Sequence, residues 1–288
     1  MAKVKGFKAL RYNHNKISDI SEVIAPPYDV INKHQQELLY SMHENNIIKV
    51  DLNKTEGDIK YDEAGEIFSS WIENQVLVEE DKESIYPYHQ KFTFKNKEYE
   101  RLGIVALVKL SDFDEKIVLP HEETFSGPKA DRLKLMNSCK TNISPIFGVY
   151  DNSEDTVEKL VGQFIKKNDP IIEAKSLDGI TNKIWKISDN KTISKISSFF
   201  DSKEILIADG HHRYETSLNY SKANRSDKTS YVMFYLTGAI QDGLLINPTH
   251  RILNDVSSSK EITKLVIENF KTVSWSGDMN EDSLQPNE

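Results

Sequence analysis

Apolar and polar positions alternate along the chain with two different periods, and this pattern predicts strands and helices in turn from end to end. Two β-rich runs, Ser84–Phe94 and Tyr99–Leu110, are separated by the short polar segment KNK and predict an antiparallel hairpin. Residues Tyr61–Leu77 place apolar side chains such as Ile67 and Trp71 near one face, which is typical of an amphipathic helix. The pattern therefore predicts an α/β fold of mixed α+β type, with mixed sheets packed against helices.

Shorter runs complete this prediction. The other predicted strands are Ile47–Leu52, Ser144–Tyr150, Lys183–Ile187, Glu204–Ala208, Tyr231–Thr237 and Leu244–Ile246. Further helices are predicted from about Lys129, over Glu154–Lys167, Thr192–Phe200 and His211–Ala223, and within Glu261–Trp275, where a short strand follows the helix. We expect a hairpin-rich N-terminal lobe at residues 1–150, a phosphate-binding lobe at 151–255, and a truncated element with a polar tail at 256–288.

Composition narrows the class of protein. The 288 residues are 38% hydrophobic, enough for an apolar core, and carry a formal net charge of −8. An acidic surface repels a polyphosphate backbone, so the charge disfavours nucleic acid as a partner. The single cysteine, Cys139, permits no intrachain disulfide, and no apolar run has the length of a membrane span. We expect a soluble cytoplasmic protein without a membrane partner; the oligomeric state stays open.

The segment from Glu204 to Ala223 carries the strongest functional signal. The apolar run EILIA predicts a buried strand, Asp209 and Gly210 interrupt it, and HHRYETSLNYSKA continues with helical spacing. Asp209 is the predicted N-cap, because its carboxylate can accept from the free amides of the first turn. Gly210 has no Cβ, so a ligand can approach the backbone closely. The arrangement is a strand–turn–helix unit.

Three cationic or ionisable residues, His211, His212 and Arg213, crowd the first turn of this helix. The helix dipole makes cations there unfavourable by about 0.3–1 kcal/mol each when exposed. A bound phosphate would make the positive charge of these side chains favourable at this end of the helix, and Arg213 can add a bidentate contact to it. The alternative is structural: Asp209 caps the helix and pairs with Arg213, while one of the histidines is a surface residue with its hydrogen bonds satisfied.

Other candidate site residues lie elsewhere in the chain. A carboxylate beside an imidazole, as in His121–Glu122, can act as a general base, or it can belong to a solvated acidic loop. Lys129 and Arg132 can neutralise a substrate carboxylate or a phosphoryl group. Two further pairs complete the candidates: Tyr28 and Asp29, which can touch a nucleotide or simply pack, and His250 and Arg251, which offer a second cationic edge.

The segment IADGHHRYETSL resembles the phosphate-binding box of the ParB-like and sulfiredoxin-like nucleotide-binding fold, in which a glycine-containing turn followed by arginine opens a helix. The wider set of motifs resembles the DUF1015 family of bacterial and archaeal proteins. The other motifs that carry this resemblance are APPYDVI at 25–31, PHEET at 120–124, KADRL at 129–133, SPIF at 144–147 and PTHR at 248–251. Family members usually continue beyond this length, so we expect a C-terminal segment to be missing.

The resemblance implies a nucleotide-binding fold, whose relatives include free-serine kinases, sulfiredoxin phosphotransferases and ParB nucleotide switches. The leading hypothesis is a kinase that uses ATP, ADP or CTP with Mg²⁺ and phosphorylates a small hydroxyl compound, with free serine as the first candidate. In this hypothesis the residues Gly210–Arg213 hold the phosphates and Asp209 fixes the turn or helps to bind Mg²⁺. Glu122 takes the hydroxyl proton and His121 orients it.

Two alternatives from other functional classes remain. One is a ParB-like switch that binds a nucleotide without turnover. The other is a metal-dependent hydrolase, in which His211 and Glu215, four residues apart on a helix, chelate an ion that His121, Glu122 and His250 help to hold.

Overall fold

A computed structural model describes residues 1–246 and 259–271 of the chain. The chain divides into two compact units, Met1–Leu244 and Leu245–Glu288. The first unit contains the sheets and seven helices, and the described part of the second contains one helix.

Short strands lie at the edges of the sheet and longer strands lie in its middle. They are β1 (Val4–Lys5), β2 (Leu10–Tyr12), β3 (Leu77–Glu79), β4 (Tyr86–Phe94), β5 (Lys97–Lys109), β6 (Val118–Leu119), β7 (Ile146–Tyr150), β8 (Ile172–Lys175), β9 (Thr181–Ile184), β10 (Ile205–Asp209) and β11 (Tyr231–Gly238).

The helices range from a single turn to four turns. They are α1 (Lys33–Met42), α2 (Ile48–Asp51), α3 (Ile59–Glu73), α4 (Ser126–Cys139), α5 (Thr156–Ile165), α6 (Asn190–Phe200), α7 (His211–Ala223) and, in the second unit, α8 (Ser259–Asn269). Within the described part of the chain, none of them combines the length and the hydropathy that crossing a bilayer requires.

One sheet of nine strands runs through the first unit in the order β6-β10-β7-β11-β5-β4-β9-β8, with β1 also paired to β5. The pairs β6–β10 and β7–β11 are parallel, and the other pairs of this sheet are antiparallel. The predicted mixed α/β class is therefore confirmed. Strands from both sides of residues 150–152 lie in this sheet.

The predicted hairpin is confirmed as β4 and β5. Phe94 pairs with Lys97, and the two turn residues Lys95 and Asn96 have φ values of 46° and 62°. Positive φ at both central residues is the geometry of a type I′ turn, whose twist matches that of the flanking strands. The hairpin therefore brings β5 into the middle of the sheet, where it pairs with β11.

Two apolar cores stabilise the first unit. The larger lies on the sheet and includes Phe200, Ile104 and Phe234, all fully buried. The second is formed mainly by α3 and α4, where Phe68 packs in one cluster with Leu135. Burial of side chains of this size contributes roughly 1.5–3 kcal/mol each. These cores hold α4 and α7 in contact with each other beside the sheet.

Three predicted elements differ from the structure. Ile47–Leu52 was predicted as a strand, which is wrong: it contains the helical turn α2, since the buried Asn46 side chain accepts from the amide of Ile48 at 3.0 Å and starts a turn. The helix predicted over Tyr61–Leu77 ends at Glu73, because Gln75 adopts a φ of 56°, and Leu77 begins β3. No strand forms at Leu244–Ile246.

Candidate functional site

The turn at residues 209–213 lies where β10 passes into α7, as predicted. Gly210 is the N-cap residue of α7, with a φ of 92° in the left-handed region that favours glycine. The prediction of Asp209 as N-cap is therefore wrong. Because Gly210 carries no side chain, no side chain caps the first amides of α7. The positive end of the helix dipole is thus left without an anionic cap.

Arg213 folds back over this turn. Its guanidinium donates to the Asp209 carboxylate and to the carbonyl oxygen of Pro145. A Cβ at position 210 would lie 3.0 Å from the guanidinium, so glycine also leaves room for this close approach. In the present conformation Arg213 thus pairs with Asp209, and its contact with a phosphate stays a prediction.

Sheet topology brings His121 to the same turn. The strands β6 and β10 are parallel, with Val118 opposite Ile205 and Leu119 opposite Leu206. The carboxyl ends of two parallel neighbours lie at the same edge of a sheet. The loop that follows β6, which carries His121, therefore meets the turn that follows β10.

His211 lies at the centre of this meeting point and is only 1% exposed. Its Nε2 accepts the backbone N–H of His121 at 3.2 Å. Its Nδ1 lies 3.0 Å from Glu122 Oε1 without forming a hydrogen bond, so this buried nitrogen has no hydrogen-bond partner. Burial lowers the pKa of His211, although the nearby Glu122 carboxylate acts in the opposite direction.

His121 completes a three-residue cluster. Its Nδ1 lies 2.7 Å from the carbonyl oxygen of Ile207, and because a carbonyl only accepts, Nδ1 carries the proton and Nε2 presents a lone pair. The His121 ring meets that of His211 edge-on, with centroids 4.5 Å apart. One nitrogen or oxygen from each of His121, Glu122 and His211 lies within 4.8 Å of the others. The residue that faces Glu122 through a ring nitrogen is His211 rather than His121, to which the sequence assigned the orienting role.

The adjacent histidines of α7 both hold the loop that precedes α4. His211 accepts from the amide of His121, and His212 Nε2 accepts from the amide of Phe125 at 3.1 Å. The His212 ring also stacks on Phe125, with centroids 6.4 Å apart. Adjacent helical residues point about 100° apart, so the two rings reach different points of the loop. The pair thus fixes the loop that carries Glu122.

Glu215 has a different role from the one predicted for it. Its carboxylate accepts from Thr124 Oγ1 at 2.6 Å and from Lys129 Nζ at 2.7 Å. These bonds join α7 to α4 and to the loop before it. The chelating pair predicted for His211 and Glu215 is therefore wrong, because Glu215 points to Lys129 and His211 points to Glu122.

Arg132 lies in a separate cluster beside α7. It makes four hydrogen bonds, two to Asp131 Oδ2 and one each to the carbonyl oxygen and Oδ1 of Asp51. Its guanidinium carbon lies 3.9 Å above the centre of the Tyr28 ring. With only 8% of its surface exposed, Arg132 is engaged in these contacts rather than free to meet a substrate. Tyr28 therefore packs on Arg132, and Asp29 beside it is exposed.

Asp51 is the member of this cluster that sequence reasoning missed, because the segment around it was assigned to a strand. It is 6% exposed, and burial raises the pKa of its carboxyl even though Arg132 lowers it. Asp51, Arg132 and Arg213 together line a cavity of about 40 Å³. This space has room for a few water molecules.

The remaining predicted site residues, His250 and Arg251, lie outside the described residues.

Comparisons with known proteins give one match. Residues 4–287 match the family described as "Protein of unknown function (DUF1015)". Neither a search of curated proteins nor one of solved structures finds a match.

Proposed function

The chain belongs to the DUF1015 family, and from the geometry of its turn and of its His–Glu cluster we propose that it transfers a phosphoryl group from a nucleotide to a small hydroxyl compound. Phosphoryl transfer requires positioned cations, amides and a proton acceptor more than it requires covalent chemistry. These groups lie together where β6 and β10 end.

One observation carries the proposal. The Glu122 carboxylate, 52% exposed, lies 3.0 Å from the buried and unpartnered Nδ1 of His211, beside a helix terminus that no side chain caps. A proton acceptor and an anion site are therefore adjacent. The buried imidazole limits where the carboxylate can lie, which is the role of a positioning residue.

The anion site is formed by backbone groups of the turn. The amides of His211, His212 and Arg213 are in the first turn of α7, where no intrahelical acceptor is available, and no side chain caps them. A phosphate at this position would compete with Asp209 for the Arg213 guanidinium. Arg213 then passes from the carboxylate to the phosphate, where it can bind in a bidentate manner.

Each residue has a defined part in the transfer. The acceptor hydroxyl oxygen forms a bond to phosphorus while the bond from phosphorus to the bridging oxygen of the nucleotide breaks. Glu122 takes the proton of that hydroxyl, and Arg213 with the first-turn amides stabilises the charge on the transferred group. In this proposal Asp209, whose carboxylate is 54% exposed, binds the Mg²⁺ that accompanies a nucleotide. Free serine is the first candidate acceptor.

The test is to incubate the full chain with Mg²⁺ and free serine, and with ATP, ADP and CTP in turn, and to follow products by ³¹P NMR. We expect a new phosphomonoester signal and a loss of rate of roughly 100-fold or more in Glu122→Gln, which keeps the size of the side chain but cannot take the proton. Glu123→Gln is the matched control, because the neighbouring carboxylate lies outside the cluster, and we expect its rate to equal that of the parent chain.

Two results would contradict the proposal. One is nucleotide binding without transfer to serine, threonine or glycerol, which would favour a nucleotide switch. The other is transfer at an equal rate in Glu122→Gln and Glu123→Gln, which would remove Glu122 from the reaction.

A further inference from the structure

Three side chains that can bind a metal ion converge at the loop after β6. They are His121, Glu122 and His211, and one nitrogen or oxygen atom from each lies within 4.8 Å of the other two. We propose that they form a site for one divalent transition-metal ion, of the kind that Zn²⁺ or Co²⁺ occupies. Two imidazoles and one carboxylate are a ligand set used by zinc and by related first-row metals.

His121 has the arrangement that a metal-binding histidine needs. Its Nδ1–H donates to the carbonyl oxygen of Ile207 at 2.7 Å, which fixes the tautomer and the orientation of the ring. The other nitrogen, Nε2, is left unprotonated. Ligating histidines almost always donate their second ring N–H to a carbonyl or carboxylate in this way.

His211 supplies an independent indication. Its side chain is 1% exposed, its Nδ1 has no hydrogen-bond partner, and this nitrogen points to Glu122. Buried polar atoms without a partner are rare in folded proteins, and a bound ion is one of their ordinary explanations. His211 and His121 belong to the same cluster of three residues.

Binding requires two adjustments. In a tetrahedral site with bonds of about 2.0–2.1 Å the ligand atoms are about 3.4 Å apart. His211 Nδ1 and Glu122 Oε1 already lie 3.0 Å apart, whereas separations of up to 4.8 Å within the cluster must shorten. The exposed residues His121 and Glu122 can supply this movement. The proton of neutral His211 must also pass from Nδ1 to Nε2, which breaks the 3.2 Å hydrogen bond from the His121 amide and leaves two N–H groups facing each other. The backbone of His121 must therefore turn away as the ion binds, and three metal–ligand bonds offset this cost.

A metal bound by three protein side chains keeps a position open for a further ligand. A bound ion would acidify a hydroxyl or a water in that position. The proposed ion site does not depend on the phosphoryl transfer proposed above, because it follows from the ligand set alone.

The test measures metal content and affinity directly and needs no activity. The full chain is prepared without a histidine tag, treated with a chelator, and titrated with ZnCl₂ by calorimetry. Its metal content is then determined by mass spectrometry after dialysis. CoCl₂ serves as a second probe, because the visible spectrum of Co²⁺ reports nitrogen and oxygen ligation.

The variants are His121→Ala, Glu122→Gln and His211→Gln, with Glu123→Gln as the control. We expect one ion per chain in the parent and in the control, and an affinity lower by roughly 10-fold or more in each of the three cluster variants. His121 and Glu122 lie in an exposed loop, so the variants at these two positions still test the proposal if the change at buried His211 prevents folding. Absence of stoichiometric binding, or equal affinity in Glu122→Gln and Glu123→Gln, would overturn the proposal.

Discussion

Lys129 Nζ on α4 lies 2.7 Å from Glu215 Oε2 on α7, and Thr124 Oγ1 donates to the other oxygen of the same carboxylate at 2.6 Å. Both oxygens of Glu215 are therefore engaged in joining α7 to α4 and to the loop that carries Glu122. The carboxylate has a structural role beside the candidate site, and this role has a measurable dependence on pH.

Burial acts to raise the pKa of Glu215, but hydrogen bonds from Lys129 and Thr124 outweigh it and hold the pKa below its ordinary value. A lowered pKa in the folded state gives stability that is present above the unfolded pKa, about 4.3, and is lost as the pH falls through the folded value. We expect Glu215→Gln to lower the free energy of unfolding by roughly 0.5–1 kcal/mol at pH 7. Urea unfolding at pH 7 and near pH 3 measures the difference, which should shrink at the lower pH. A constant difference would show that the ion pair contributes nothing.

Gly103 lies where β5 pairs with β11, opposite Thr237. A Cβ there would overlap the carbonyl oxygen of Leu236 and lie 2.5 Å from a ring carbon of Tyr235. We expect Gly103→Ala to lower the free energy of unfolding by roughly 1–3 kcal/mol, because the backbone oxygen cannot move aside without breaking the strand pairing. Chemical denaturation measures this effect.

Gly162 in α5 is the matched control, since a Cβ there would meet nothing within 4 Å. Gly162→Ala should raise the free energy of unfolding by roughly 0.5–1 kcal/mol, because alanine is the better helix former. If both alanine variants changed stability in the same direction, the close approach at Gly103 would not be the cause.

Cys139 is 8% exposed in the core between α3 and α4, and burial raises the pKa of its thiol to about 11. Only the thiolate reacts with alkylating reagents. We therefore expect the native chain at pH 8 to react with iodoacetamide far more slowly than the chain in urea, as followed by mass spectrometry. Equal rates would show that the thiol is accessible in the folded chain.

His212 accepts the amide of Phe125 at 3.1 Å, and we expect this bond to order the loop before α4. His212→Ala should raise the rate of amide hydrogen exchange at Phe125, which nuclear magnetic resonance can follow residue by residue. His43→Ala is the control, because His43 Nδ1 accepts the amide of Asn45 at 2.9 Å at a different place in the fold. Faster exchange at Phe125 in the control as well would mean that the loop loosens through a general loss of stability.

The sequence predicted α7 from His211 to Ala223 with the bounds that the structure has. The signals for it are local: an apolar strand, a glycine that accepts positive φ, and helical spacing after it. The hairpin of β4 and β5 was predictable for the same reason. The run around Val50 was not, because a short apolar segment fits either a strand or a buried helical turn. The side chain of Asn46, bound to the amide of Ile48, decides between them.

The sequence by itself therefore determined the strand–turn–helix unit at 205–223, the candidate residues in the turn, and the family to which the chain belongs. It did not determine which partners those residues have. The parallel pairing of β6 with β10 places Glu122 beside His211, a residue 89 positions away. The packing of α4 on α7 brings Lys129 into contact with Glu215. Partners of this kind depend on strand order and helix packing. Many contacts between distant parts of the chain determine these together, and no local pattern of residues encodes them.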